Sequence, residues 1–351
     1  MIQRLFAGKP FSFWYRAARP HALGQSVMPY ALGSIIGISS LLYSQTAYTD
    51  IAKNLALAVL GVAGMILAHL AMNLLDDYFD MKKGAVAARE EMQEGGMRAR
   101  MGKCAYLKNG PVTLDDTRRV AIFFLCVALL IGAVILAARG WEILIFVGIA
   151  LILGLQYAGP PLRLSYHGLA ELTLGVIIGP VLVTASAFVA AGSFVPQAMW
   201  ASVPVGLLAA NLLNTHALMD FGPDKAANRK TLAVLLGSQK AGGIAGAIMI
   251  ALAYLSIIVG VAMGQLPLVA LAAIASLPLV KVYLDSLWRL IDHKDEDETF
   301  APRIWMGTFG DWEGIQQRGV AWFMYRWMLA RNIIIQVTII LALASLTPWY
   351  L

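Results

Sequence analysis

The residues whose types and spacing could do chemistry fall in three stretches. The first is Ala71-Met-Asn73-Leu-Leu-Asp76-Asp77-Tyr78-Phe79-Asp80, followed by Met-Lys82-Lys83-Gly84. Asn73, Asp77 and Asp80 are spaced i, i+4, i+7, so on a helix they share one face. Asp76 to Asp80 also reads as a DDxxD pattern. Carboxylates this crowded repel one another and repel any anion. A divalent cation between them turns the same charges into a clamp. Mg²⁺ suits the pattern, because it takes one or two carboxylates and fills its remaining positions with phosphate oxygens. Asp76, Asp77 and Asp80 are therefore candidate metal ligands facing a diphosphate, with Lys83 a candidate for its oxygens. Asn73 lies a turn deeper in an apolar run, where a polar group is costly.

The second stretch runs from Asn211 through Asn214, His216, Asp220, Pro223, Asp224 and Lys225 to Arg229, Lys230 and Thr231. His216, Asp220 and Asp224 are spaced by four. Pro223 disfavours helical geometry at Gly222, which predicts a helix ending near Asp220 with Asp224 reaching back from a loop. Asp220 and Asp224 could hold a second Mg²⁺, with Lys225, Arg229 and Lys230 on phosphate oxygens. His216 could pair with an acid, bind a ligand or bond a neighbouring helix. The third stretch, Gln156 to Glu171, is a tight turn rich in glycine and proline. Tyr157, Arg163, Tyr166 and His167 cluster there at the level of the acids. Arg163 suits a carboxylate or phosphate, or a simple anchor on the basic side of a membrane.

The elements that position these residues are membrane spans. The chain has 351 residues, 59% hydrophobic and 14% charged, against roughly 25% charged in soluble domains. That composition predicts an all-α polytopic membrane protein. The net charge of +6 is then a matter of sidedness, and nucleic acid is not a partner. Nine apolar stretches reach the roughly 20 residues a crossing needs: about 22–44, 53–75, 119–138, 142–160, 168–191, 198–219, 241–263, 266–290 and 330–350. With the N-terminus in the cytoplasm, all but Lys53 and Arg139 of the 27 basic residues fall on the cytoplasmic side, as the positive-inside bias expects. Both acidic stretches then open to the cytoplasm.

The expected organisation follows. Residues 1–21 form an interfacial segment with Phe11, Phe13, Trp14 and Tyr15, and no cleavable signal. Residues 22–290 form an eight-helix core with functional loops at 76–118, 157–168 and 220–240. Residues 291–329 form a solvated loop rich in tryptophan, and 330–351 a ninth helix. Asn-Leu-Leu recurs near the ends of the second and sixth stretches, a weak echo of two four-helix repeats. Cys104 and Cys126 offer no disulfide framework. Acids in spans also suit an ion-coupled transporter. However, transporters place such sites near the midplane, whereas these lie at span ends beside lysines.

Four segments taken together resemble the UbiA-type intramembrane prenyltransferases, nearest to the branch acting on 1,4-dihydroxy-2-naphthoate in menaquinone biosynthesis. They are Asn73-Leu-Leu-Asp-Asp77-Tyr-Phe-Asp80-x-x-Lys83-Gly84, Tyr106-Leu-Lys-Asn-Gly110-Pro-Val-Thr113, Gly159-Pro through Tyr166-His167-Gly168 to Glu171, and Asp220-x-x-x-Asp224 through Arg229-Lys230-Thr231. The resemblance covers about residues 10–290. It implies a nine-helix bundle in the bacterial inner membrane, with its active site facing the cytoplasm. It implies Mg²⁺-dependent transfer of a polyprenyl group from its diphosphate to the naphthoate, giving demethylmenaquinone with loss of CO₂; 4-hydroxybenzoate and homogentisate are the alternative acceptors. The implied catalytic residues are Asn73, Asp77, Asp80, Asp220 and Asp224. Two positions depart from the family pattern: His216 stands where asparagine is usual, and Met219 where arginine is usual.

Overall fold

The computed structural model describes residues 5–43, 48–82, 84, 87, 91–92, 94, 104–108, 110, 112–294 and 299–347. These residues are helical, with no strand among them. The long helices are α1 (Gly24–Tyr43), α2 (Tyr48–Lys82), α3 (Leu114–Arg139) and α4 (Ile143–Ala158). Next come α5 (Ala170–Ala191), α6 (Pro196–Met219), α7 (Gln239–Ala262), α8 (Leu268–Ile291) and α9 (Ala321–Ala344). Local chemistry sets several of their ends. Thr113 accepts from Asp116 N while Asp116 accepts from Thr113 N, a capping box that starts α3. Ser238 caps α7 by accepting from Ala241 N. Within α5, Pro180 cannot donate to the helix, and the backbone widens into a π turn over Ile177–Val181.

Seven of these helices, among the described residues, are long and apolar enough to cross a membrane. This is an integral membrane protein. The other two expected stretches also fold as helices. α4 has only 16 residues, and at 1.5 Å per residue it is about 24 Å long, short of a typical bilayer core. α6 is long enough but carries Gln197, Asn211, Asn214 and His216 among its apolar residues. The outward faces are apolar, as lipid requires. Ile244, Ile248, Leu252 and Leu255 of α7 are exposed, as are Ile122, Leu129, Leu130 and Val134 of α3.

Without a hydrophobic drive between helices in lipid, close packing depends on small residues. α5 meets α6 at Gly179 and Gly206, where a Cβ on Gly206 would sit 2.7 Å from Gly175 O. Gly206→Val is therefore expected to destabilise the protein by about 3 kcal/mol, the upper part of the usual range for overpacking. A fall in the detergent melting temperature checks this; an unchanged value would mean that the helices can part without cost.

α2 is the element that carries the first acids. Its 35 residues extend about 52 Å, well beyond a bilayer core of about 30 Å. The excess of about 20 Å leaves room for its last turns, which carry the acids up to Lys82, to extend past the apolar span. At the other end of α2, Asn54 accepts from Arg139, whose Nε donates to Val189 O. Arg139 thus lies at the end of the bundle opposite the acids.

Two regions differ from the sequence expectation. The N-terminal segment does form a short helix, Phe11–Ala17, but Trp14 is fully buried against Tyr106 instead of lying at an interface. The stretch from 299 onwards folds back on α9 and is not a loose solvated loop. Phe300 stacks on Tyr325 at 4.5 Å, and Met306, Phe309 and Ile315 are buried. α9 starts at Ala321, so Trp322 and Trp327 belong to the helix and not to a loop. Part of the charged run, 295–298, lies outside the described residues.

Candidate active site

Asp76, Asp77 and Asp80 sit in the last turns of α2, and Asp220 closes α6 as its C-cap. The C-terminal end of a helix carries partial negative charge. Placing acids there raises the local negative potential, an arrangement that favours a cation. Asp77, Asp80, Asp220 and Asp224 are all buried, at 1%, 5%, 1% and 3% exposure, so none is an ordinary solvated acid. Asp76 and Asn73 are partly exposed.

After Asp220 the chain does not enter a loop, as Pro223 suggested. It begins a new short helix, Phe221–Ala226, with Pro223 in its first turns, where its missing N–H costs little. Asp224 N donates to Asp220 O at 2.8 Å, so the two acids are fixed relative to each other across the break.

The two acidic stretches meet through two side chains. Tyr166 OH donates to Asp80 Oδ1 at 3.4 Å. The Arg229 guanidinium lies over the Tyr166 ring at 5.2 Å and 3.9 Å from Asp224 Oδ1. Burial disfavours the Arg229 charge, but Asp224, Tyr157, Asp80 and Asp76 together outweigh it, and the pKa of Arg229 is raised above its ordinary value. Asp76, Asp80 and the partly buried Tyr157 lie within electrostatic range of the same guanidinium. Asp80, Tyr166, Arg229 and Asp224 thus form a continuous chain across the mouth of the bundle.

That chain is held by the third stretch. Arg229 Nε donates to Ser165 O at 3.4 Å, and His167 pairs by backbone with Lys230. The buried Glu171, at the start of α5, accepts from Leu232 N at 3.3 Å. The segment after Asp224 is therefore pinned to the turn between α4 and α5.

Other expected site residues are placed differently. Arg163, His167, Lys225 and Lys230 are exposed at the rim. Arg163 enters the turn through its carbonyl, which accepts from His167 Nδ1 at 3.1 Å. Lys83 lies outside the described residues. His216 Nε2 is 3.5 Å from Asp220 Oδ2, and its ring meets the edge of Phe323 at 5.0 Å. Of the roles open to His216 from sequence, the geometry favours pairing with the acid. Asn73 and Asn211, which the internal echo aligned, do different work. Asn73 Nδ2 donates to Ala18 O, whereas Asn211 accepts from Tyr283 OH within the core.

Arg19 is the residue that sequence reasoning missed, having been counted only as a charge on the basic side. Its guanidinium reaches Asp77 Oδ1 at 3.1 Å, Asp76 Oδ2 at 3.3 Å and Asn73 O at 3.0 Å. Burial opposes the Arg19 charge, but Asp77 and Asp76 reverse the balance and raise its pKa. The signal was present as Arg-Pro immediately before the first apolar stretch. Arg19→Gln is expected to lower the melting temperature by about 5 °C, since breaking a largely buried pair removes a few kcal/mol. An unchanged melting curve would show that the contact is idle.

The donor set suits Mg²⁺. The side chains are hard carboxylates, mostly buried, and all but Asp224 lie at helix C-terminal ends. Among the described residues no three His, Cys, Asp or Glu converge into a closed metal cage. Mg²⁺ does not need one, since it retains water and takes phosphate oxygens beside one or two carboxylates.

Residues 34–309 match the sequence profile of the UbiA prenyltransferase family. The chain belongs to this family. It is a prenyltransferase by that membership, which decides against the transporter alternative. The 1,4-dihydroxy-2-naphthoate octaprenyltransferase of Bacillus subtilis is 28% identical, over 65% of this chain and 67% of the relative. The 2-carboxy-1,4-naphthoquinone phytyltransferase of Synechocystis is also 28% identical, over 76% and 79%. The naphthoate-type resemblance read from four motifs therefore holds. Among solved structures, a UbiA homolog from Archaeoglobus fulgidus bound to GPP and Mg²⁺ superposes with a TM-score of 0.56 at 17% identity, covering 92% of this chain and 99% of that one. An apo UbiA homolog from Aeropyrum pernix gives 0.56 at 19% identity, covering 90% and 96%. These likenesses place the UbiA fold.

Proposed function

We propose that this protein transfers a polyprenyl group from a polyprenyl diphosphate to 1,4-dihydroxy-2-naphthoate. The allylic C–O bond to diphosphate breaks, and a C–C bond forms at the ring carbon that bears the carboxylate. CO₂ leaves from that carbon, and the product is the quinol form of demethylmenaquinone. The observation that carries this reading is the chain Asp80–Tyr166–Arg229–Asp224, which draws two distant acidic stretches around one opening. The naphthoate-type names of the relatives support the acceptor.

The roles follow from position. Asp76, Asp77, Asp80, Asp220 and Asp224 are the Mg²⁺ ligands, with Asn73 beside them on α2. Mg²⁺ bound there neutralises the diphosphate and makes it a better leaving group. Arg229, and Lys83 next in sequence after α2, hold phosphate oxygens. His216 orients Asp220. The faces of Tyr157 and Tyr166 stabilise positive charge on the allylic carbon. The exposed Arg163, His167, Lys225 and Lys230 attract the anionic acceptor at the rim.

The same reading sets nine spans, a cytoplasmic N-terminus and an active site open to the cytoplasm of a bacterial inner membrane. One feature of the bundle supports an odd count, of which nine is the proposed one. His21, just before α1, meets α9 at Trp327 and Arg331, whereas Tyr43 at the far end of α1 meets Leu346. The first and last helices thus run parallel, as they must in a bundle of nine alternating crossings.

The test is incubation of the reconstituted protein with Mg²⁺, a series of polyprenyl diphosphates and three acceptors: 1,4-dihydroxy-2-naphthoate, 4-hydroxybenzoate and homogentisate. The expected product is the prenylated naphthoquinol, lighter by CO₂ than simple addition would give. Prenylation of another acceptor alone would replace the naphthoate assignment while keeping the reaction class.

A further inference from the structure

The last helix carries a polar face that a plain membrane span would not. Arg331, Asn332 and Gln336 lie within six residues in the middle of α9, where polar side chains are costly. All three bond a single irregular stretch, whose only regular part is one 3-10 turn at Ile304–Met306, and Arg331 also donates to His21 O. Gln336 Nε2 donates to Trp305 O at 2.8 Å, and Asn332 Nδ2 to Met306 O at 2.8 Å and Thr308 O at 3.1 Å. Arg331 reaches Thr308 O and, at 3.2 Å, its hydroxyl. Beneath this stretch Met306 and Phe309 are buried. A single 3-10 turn leaves carbonyls without helical partners, and such groups survive at membrane depth only where protein satisfies them; here side chains of the neighbouring helix do so.

The depth of this stretch can be read from α1. His21 marks the entry to α1 and lies level with Trp327 and Arg331 of the parallel α9. Gln336 is five residues further towards the far end, about 7.5 Å deeper at 1.5 Å per residue. Trp305 is bonded at that level. Its neighbours at the tip point outward: Ile304 is 99% exposed, Trp305 43%, and Arg303 is exposed beside them. A bare isoleucine, a tryptophan and an arginine at that depth match what the boundary between headgroups and acyl chains selects. The apolar side chain enters the boundary, the indole lies along it, and the guanidinium rises to a phosphate.

We propose that residues 303–306 form a wedge inserted into the leaflet on the side of the acidic residues, held against α9 by Arg331, Asn332 and Gln336, with bilayer lipid as its partner. The proposal does not depend on the reaction.

The test is a nitroxide at Ile304→Cys in a Cys104→Ser/Cys126→Ser background, in nanodiscs of zwitterionic and anionic lipid. The label is expected to collide with oxygen at least several-fold more than with a water-soluble nickel chelate. A control label at the exposed Arg318→Cys should show the reverse. Adding Gln336→Leu and Asn332→Leu should shift the 304 label towards the nickel chelate. If those variants fail to fold, the single-label comparison still decides. A 304 label open to nickel like the control would overturn the proposal. So would a label shielded from both reagents, since protein and not lipid would then cover the tip.

Discussion

Asp77→Asn is expected to lower turnover on the order of a thousandfold while the protein stays folded. The substitution keeps the shape of the side chain and an oxygen that can still accept from Arg19, 3.1 Å away. What it removes is one negative charge from a buried group at the C-terminal end of α2. A Mg²⁺ ion bound to leaving diphosphate contributes several kcal/mol to the transition state, and each tenfold in rate is about 1.36 kcal/mol. If Asp77 holds Mg²⁺ as proposed, losing that carboxylate is expected to cost about three decades. The measurement is diphosphate release against Mg²⁺ concentration, with a melting curve in parallel. Wild-type turnover in the variant would remove the metal role from α2. A collapsed melting curve would instead assign Asp77 to the fold, through Arg19.

Arg229→Met is expected to reduce kcat/KM for the polyprenyl diphosphate by about a hundredfold, the size of losing a charge-assisted contact to phosphate. The Met side chain retains much of the apolar stem but cannot bridge Asp224 and the Tyr166 ring. Arg229→Lys should recover little, because an ammonium neither stacks on a ring nor presents a planar fork. The acceptor's KM should move much less than that of the diphosphate. Equal losses for both substrates would show that Arg229 holds the loops together without touching phosphate, and full activity in the Lys variant would show that only charge matters there.

Residue composition and spacing read two things directly. Long apolar runs announce helices in lipid, because burying about twenty residues across a bilayer is a local property of the chain. Asp76, Asp77, Asp80, Asp220 and Asp224 stood out because two groups of acids, one in a DDxxD pattern and one spaced by four, end two such runs beside basic residues. The boundary of α9 was misjudged for a related reason. The helix begins at Ala321, amid tryptophans and arginines that do not look like a span, and Arg326 is buried there by bonding Ser286 O and Trp322 O. Apolar content marks lipid contact; it does not mark a helix that protrudes above the membrane.

By itself, then, the sequence determined the solvent, the helical class, the family and the acids, since composition, apolar runs and motif spacing are properties of the chain that need no knowledge of which segments meet. The tertiary structure alone decided the partners. Arg19 reaches Asp77, Tyr166 reaches Asp80, Arg229 closes on Asp224 and His216 turns to Asp220 against Phe323. Arg229–Asp224 and His216–Asp220 are close in the chain, but Arg19–Asp77, Tyr166–Asp80 and His216–Phe323 join distant segments, and their meeting depends on how helices cross and loops dock. Periodicity reports which face of a helix is polar; it carries no information about which other helix that face will meet.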